Sequence, residues 1–242
     1  MLRAGSLEPG TITVWRISLS GTPEVESAFR RFLSFEETER ADRFAFPHLT
    51  QKYVLARGAL RTILAGYLDR APESLVFEYN SSGKPALAGG GVHFNVSHSG
   101  SIALLAFAKE CEIGVDVEAF RPVPDLESIA DRFFCPEEAR DLTSLPVKSR
   151  PRAFFDCWTR KEAYVKALGG GLSVPLDSFR VTLLPGEPAR IVHAPEGSEG
   201  WRMHDLGDSH DYAAALAYRF DELEIRVNPL LTLTDHHGHP RP

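Results

Sequence analysis

The sequence predicts an α+β fold of two similar halves, packed side by side as a pseudo-dimer with a cleft between them. Three observations lead there. Apolar positions recur at helical spacing in two long segments, 51–68 and 152–168. Short runs at 92–97, 102–108 and 113–118 read as strands whose brief connections favour antiparallel pairing of neighbours. The order of helices followed by strands then occurs twice, which divides the chain into 1–110 and 111–234. No sequence repeat accompanies this order. The tail 235–242 is rich in His and Pro and is expected to be disordered.

Along the first half, residues 11–19 alternate weakly and read as a strand. Thr22-Pro23 opens a helix, and Ser34 with Glu37 three residues on is a capping-box signature for a second. The long helix follows at 51–68, with Pro72 beyond its end. A short strand at 75–79 leads into the turn Asn80-Ser81-Ser82-Gly83-Lys84-Pro85. In the second half, 125–134 is helical, and Pro136 takes the favoured first position of another helix. The helix 152–168 stops at Gly169-Gly170-Gly171. Strands are expected near 179–184, 201–206, 212–217 and 223–227.

The 242 residues suffice for one large domain or two small ones, and 43% hydrophobic with 25% charged residues is ordinary for a globular protein. A net charge of −6 argues against general nucleic-acid binding. Cys111, Cys135 and Cys157 cannot all pair and match no zinc spacing, so they are expected to stay reduced in the cytoplasm. No signal peptide is visible, and no apolar run reaches the ~18–20 residues of a membrane span.

The chemistry concentrates in two segments. On the strand Ile113-Gly114-Val115-Asp116-Val117-Glu118, the two carboxylates lie at i and i+2 and therefore face one space, while Val117 faces the core. Asp116 and Glu118 would repel each other without a cation, although a solvated surface strand could carry the same pair. On the helix at 152–168, Glu162 stands beside Lys161 and Lys166. Glu162 and Lys166 alone would be an ordinary i, i+4 ion pair worth ~0.2–0.5 kcal/mol. Phe155, Trp158 and Val165 share the face of Glu162, however, and a charge among apolar groups needs a stronger partner. Convergent carboxylates beside lysines suggest a hard divalent metal bound with a phosphate ester.

Phe94-Asn95-Val96-Ser97-His98-Ser99-Gly100 is not read as a hydrolase motif, because Ser97 and His98 point to opposite strand faces and Gly-x-Ser-x-Gly is absent. His98 with a nearby hydroxyl at a strand end suits phosphate instead. Arg57, Arg61 and Lys84 are further cations whose relevance depends on convergence.

Gly83-Lys84-Pro85, FNVSHSG at 94–100, IGVDVE at 113–118 and FFDCWTRKEAYVKALGGGL at 154–172 together resemble the 4′-phosphopantetheinyl transferases, of the longer, pseudo-dimeric type. The resemblance is clear from 83 to 183 and weaker from 32 to 64. It implies magnesium-dependent transfer of the phosphopantetheine arm of coenzyme A to a serine of an apo carrier protein, with release of adenosine 3′,5′-bisphosphate. By position it implies Asp116, Glu118 and Glu162 as magnesium ligands. Lys84, Ser97, His98, Lys161 and Lys166 would contact or flank coenzyme A phosphates, His98 near the 3′-phosphate, with Arg57 and Arg40 as further contacts. Lys166 would neutralise the leaving group and Glu162 could accept the serine proton. Glu37 stands where many relatives carry a cation. A monomer is expected, since one chain supplies both halves. Two other classes use the same residues: a magnesium-dependent nucleotide pyrophosphate hydrolase, and an inert module that holds coenzyme A or a carrier domain.

Overall fold

The computed structural model describes residues 5–195, 199–207, 210–220 and 223–233. The first half begins with β1 (Thr11–Ser18), α1 (Pro23–Arg30), α2 (Phe35–Asp42) and α3 (Pro47–Leu68). The strands β2 (Phe77–Tyr79), β3 (Pro85–Leu87), β4 (His93–Ser99), β5 (Ile102–Ala108) and β6 (Ile113–Ala119) follow. Next come α4 (Leu126–Phe133), α5 (Pro136–Ser144) and α6 (Arg150–Leu168). The chain then forms β7 (Arg180–Val181), β8 (Ile191–His193), β9 (Trp201–Asp205), β10 (Tyr212–Arg219) and β11 (Glu224–Leu231). The mixture of sheets and helices is the α+β class expected.

Two sheets stack face to face between two long helices. The first runs β11-β1-β5-β4 and the second β6-β10-β9. Helix α3 covers the outer face of the first sheet, packing Leu55, Leu60 and Ile63 against Ile17, Leu105 and Phe107. Between the sheets, Ile12, Val14, Leu104 and Ala106 meet Ile113, Val115, Val117 and Leu216. Helix α6 covers the outer face of the second sheet, where Ala213, Ala215 and Ala217 lie beneath Phe155, Ala163 and Tyr164. Strand β5 has apolar residues along both faces because a helix covers one and the other sheet covers the second.

Local signals explain the ends of the elements. Thr22 caps α1, and Ser34 and Glu37 form the capping box of α2. Helix α3 starts at Pro47, four residues earlier than its apolar periodicity indicates, because proline at the first position needs no amide partner. Gly169 ends α6 at φ 72, a left-handed conformation open to glycine. The strand expected at 75–79 is confined to Phe77–Tyr79, and that at 179–184 to Arg180–Val181.

Two expectations of topology are corrected. Strands β4 and β5 pair antiparallel, but β6 does not continue the meander; it pairs antiparallel with β10 in the other sheet. Both its faces are buried there, Val115 and Val117 between the sheets and Gly114 beneath α6. Strand β11, expected within the half 111–234, returns to pair in parallel with β1 in the first sheet. The tail 235–242 lies outside the described residues.

Small residues let α6 approach β6 closely. A Cβ on Gly114 would lie 2.1 Å from the Ala163 carbonyl oxygen and 2.3 Å from the Ala167 amide nitrogen. Since these neighbours are backbone, Gly114→Ala should force α6 off the sheet and cost at least the ~1–3 kcal/mol typical of overpacking. Urea denaturation should show the midpoint falling; an unchanged midpoint would contradict this packing.

Candidate active site at the seam between the sheets

The edge strands β4 and β6 come together without pairing through their backbones. Side chains of β4 bridge them instead. Asn95 Oδ1 accepts the Val115 amide (2.9 Å), Ser97 Oγ the Val117 amide (3.3 Å) and Ser99 Oγ the Ala119 amide (3.1 Å). These three residues alternate along the strand and so share one face. The two serines also reach the carboxylates of β6: Ser97 donates to Asp116 Oδ1 (2.8 Å) and Ser99 to Glu118 Oε2 (2.9 Å).

Asp116 is 4% exposed, and burial raises its pKa above the usual carboxylate range. Lys166 opposes that shift, its Nζ donating to Asp116 Oδ1 at 2.6 Å and to Ser97 Oγ at 2.9 Å. The second oxygen, Asp116 Oδ2, is buried with no hydrogen-bond partner. Burial also raises the Glu162 pKa, and the charges of Asp116 and Glu118 add to the rise. Glu118 is additionally paired with Arg121 at 2.9 Å.

A cleft of about 600 Å³ opens at this seam. Lys84 and Asn95 line it from the first half, and Arg132, Glu162 and Lys166 from the second. Lys84 also fastens the halves together: Nζ meets Glu112 Oε2 (3.0 Å) and the carbonyls of Ile113 (3.3 Å) and Ala167 (3.1 Å), the last in the final turn of α6. Nearby, Asn80 Nδ2 donates to the Gly169 carbonyl and Ser82 Oγ to that of Gly170.

The structure thus brings Asp116, Glu162, Lys166 and Ser97 into one cluster, with Glu118 at its edge. The donor chemistry suits a hard divalent cation, since a buried carboxylate oxygen lacks a partner beside two further acidic groups. The side chains do not form a finished three-carboxylate cradle, however. Among the described residues, no three His, Cys, Asp or Glu side chains are placed to hold one ion. Lys166 occupies Asp116 Oδ1, and Arg121 with Ser99 engages Glu118.

One expected phosphate contact is corrected, and two others are engaged within the protein. Lys161 is fully buried away from the cleft, its Nζ 2.7 Å from Glu138 Oε2 and 2.7 Å from the carbonyl oxygens of both Leu176 and Phe179. All three ammonium protons are therefore used. It lies on the stripe Phe154, Cys157, Lys161, Tyr164, a core-facing spacing that marked it for burial. The Ser97 hydroxyl donates once and accepts twice within the seam, which exhausts its bonding capacity. Arg57 bonds Glu37 and the Tyr79 hydroxyl and lies over the Phe77 ring at 4.1 Å.

Glu37 has a structural role: it caps α2 and pairs with Arg57 and buried Arg61. Arg40 lies over the Tyr53 ring at 5.3 Å. His98 is exposed; partial burial of its ring and the charges of Lys166 and Lys52 lower its pKa. Lys52, on α3, is a cation the sequence reading missed, because only tertiary packing brings it toward His98.

Comparison with known proteins identifies the family. A family model for the 4′-phosphopantetheinyl transferase superfamily matches residues 112–217, and one for the N-terminal region of 4′-phosphopantetheinyl transferase matches 21–110. The chain is 40% identical over 210 residues to 4′-phosphopantetheinyl transferase HetI of Nostoc sp. (strain PCC 7120), spanning 85% of this chain and 86% of that one. It is 34% identical over 199 residues to 4′-phosphopantetheinyl transferase Sfp of Bacillus subtilis (strain 168), spanning 82% of each. The chain belongs to the 4′-phosphopantetheinyl transferase family and is an enzyme of that class.

The burial of Lys161 generates a prediction. Lys161→Met should destabilise the protein by ~3–5 kcal/mol, because it strands the Glu138 charge in the core. Adding Glu138→Gln should restore much of the loss in urea denaturation. A single variant as stable as the parent would contradict the buried pair.

Proposed function

We propose that this enzyme transfers the 4′-phosphopantetheine arm of coenzyme A to a serine of an apo carrier protein, releasing adenosine 3′,5′-bisphosphate. Asp116, Glu118 and Glu162 would hold a magnesium ion. The observation that carries the reading is the buried, half-satisfied Asp116, bonded to Lys166, which lines the cleft together with Glu162.

The nucleophile belongs to the carrier, so no activated serine is required of this chain. Its task is to position a pyrophosphate and offset the charge that develops on the leaving group. Lys166 lines the cleft and can meet that charge. The bound ion would supply further neutralisation of the phosphate oxygens. Asp116 would meet the ion through its unpartnered Oδ2 and Glu118 through the oxygen that Arg121 and Ser99 do not hold. Glu162 lines the cleft, where an oxygen not engaged by the ion would accept the serine proton, directly or through water. Lys52 supplies positive charge for a further phosphate, and His98, whose ring holds its extra proton less tightly than usual, would offer a neutral N–H donor beside it.

The three cysteines are free and buried, which suits a reducing cytoplasm. No helix among the described residues is long and apolar enough to cross a membrane. Both walls of the cleft come from one chain, in keeping with action as a monomer.

Incubation with coenzyme A, magnesium and an apo carrier protein should increase the carrier mass by one phosphopantetheine arm. Asp116→Ala and Glu162→Ala should each lower turnover by about 10²–10³-fold or more while the protein stays folded by circular dichroism. Chelation of divalent ions should stop transfer, and added magnesium should restore it. Nucleotide release without carrier would point to a pyrophosphate hydrolase, and full activity in either variant would remove that carboxylate from the site.

A further inference from the structure

The hairpin of β2 and β3 ends in the turn Asn80-Ser81-Ser82-Gly83-Lys84, where Gly83 takes φ 80. One side chain organises it. Asn80 Oδ1 accepts the amides of Ser82 (3.0 Å) and Lys84 (2.9 Å), and its Nδ2 donates to the Gly169 carbonyl (2.9 Å) just beyond the end of α6. Ser82 Oγ donates to the next carbonyl, that of Gly170 (3.0 Å), and Lys84 Nζ to that of Ala167 (3.1 Å). Alternate residues of a turn in the first half thus reach successive carbonyls at a helix end in the second. The approach is close: a Cβ on Gly169 would lie 3.3 Å from Asn80 Nδ2, and one on Gly171 would lie 3.1 Å from Ser82 Cβ.

This junction closes one end of the cleft. Ser82, Lys84 and Pro85 line the cleft from one side of the junction, and Gly169 and Gly171 from the other. A separate depression of about 600 Å³ shares Lys84, Pro85 and Gly169 in its walls, so the junction is the partition between the two spaces. Asn80 lines that depression and is not part of the cleft wall. The helix end that it holds lies three residues beyond Lys166.

We infer that Asn80 is a positioning residue for the transfer: it latches the turn between β2 and β3 to the end of α6 and so holds the cleft closed around coenzyme A. The inference rests on the proposed reaction with that coenzyme. Carbonyls at a helix C-terminus lack partners within the helix, and here side chains from the opposite half supply the donors. Asparagine suits both tasks at once, since its amide oxygen accepts the turn amides while its NH2 group donates across the junction. Asp offers no donor when ionised, and Ser is too short to do both. Because Asn80 is exposed, replacing it leaves the core untouched.

Asn80→Ser and Asn80→Ala test this without adding charge. The serine variant keeps a hydroxyl for the turn amides but loses the bond to Gly169. Its dissociation constant for coenzyme A, measured by calorimetry without carrier, should rise by ~5-fold, the effect of losing about one hydrogen bond. Asn80→Ala should weaken binding at least as much. KM for coenzyme A should rise in parallel, with kcat and the KM for an apo carrier protein nearly unchanged. Hydrogen exchange over residues 165–171 should be faster in Asn80→Ser than in the parent. Parental coenzyme A affinity in both variants would overturn the inference, even with a lowered urea midpoint, because the role would then be structural only. An equal rise in the carrier KM, or unchanged exchange over 165–171, would overturn it too. Calorimetry requires no turnover, so weaker coenzyme binding by Asn80→Ser supports the latch even if the parent transfers nothing. A parent that does not bind coenzyme A overturns it.

Discussion

The seam between β4 and β6 is held by side chains that replace a missing backbone ladder. Asn95, Ser97 and Ser99 accept successive outward amides of β6, which would otherwise be left unpaired at the junction of the two sheets. Each such bond contributes on the order of 1 kcal/mol net, but an unsatisfied buried amide costs more. The same serines donate to Asp116 and Glu118. The contact that joins the halves therefore also orients the acidic groups, and the site is inseparable from the way the sheets meet.

This arrangement creates an electrostatic problem that fits the chemistry. Asp116 is buried, and Asp116 and Glu118 both add to the charge felt by Glu162. Lys166 partly offsets the cluster, yet burial still raises the Asp116 and Glu162 pKa values. Stored repulsion of this kind favours binding of a divalent cation and an anionic ligand together. The small residues beneath α6, Gly114 above all, bring Lys166 close enough to take part.

Much of this was legible in the sequence because it depends on local periodicity. The capping box of α2, the Gly169 stop and the shared face of Asp116 and Glu118 follow from spacing alone. What stayed hidden depends on tertiary partners. The destination of β6 was missed because a short connection is equally compatible with a hairpin or a step to another sheet. Lys161 was misplaced because the motif resemblance outweighed its position on a core-facing stripe, and its carboxylate partner Glu138 lies twenty-three residues away in sequence. The alternation of Asn95, Ser97 and Ser99 was visible as a polar stripe, but nothing local said that it faced the backbone of another strand.

The central claim is that Asp116, Glu118 and Glu162 serve one divalent ion at the seam. A crystal structure with coenzyme A and manganese in place of magnesium tests it most directly, since manganese can be located by its anomalous scattering. The account predicts one peak within ~2.0–2.3 Å of an oxygen from each carboxylate. A peak elsewhere, or a coenzyme-bound site in which no ion joins the three acidic groups, would contradict it.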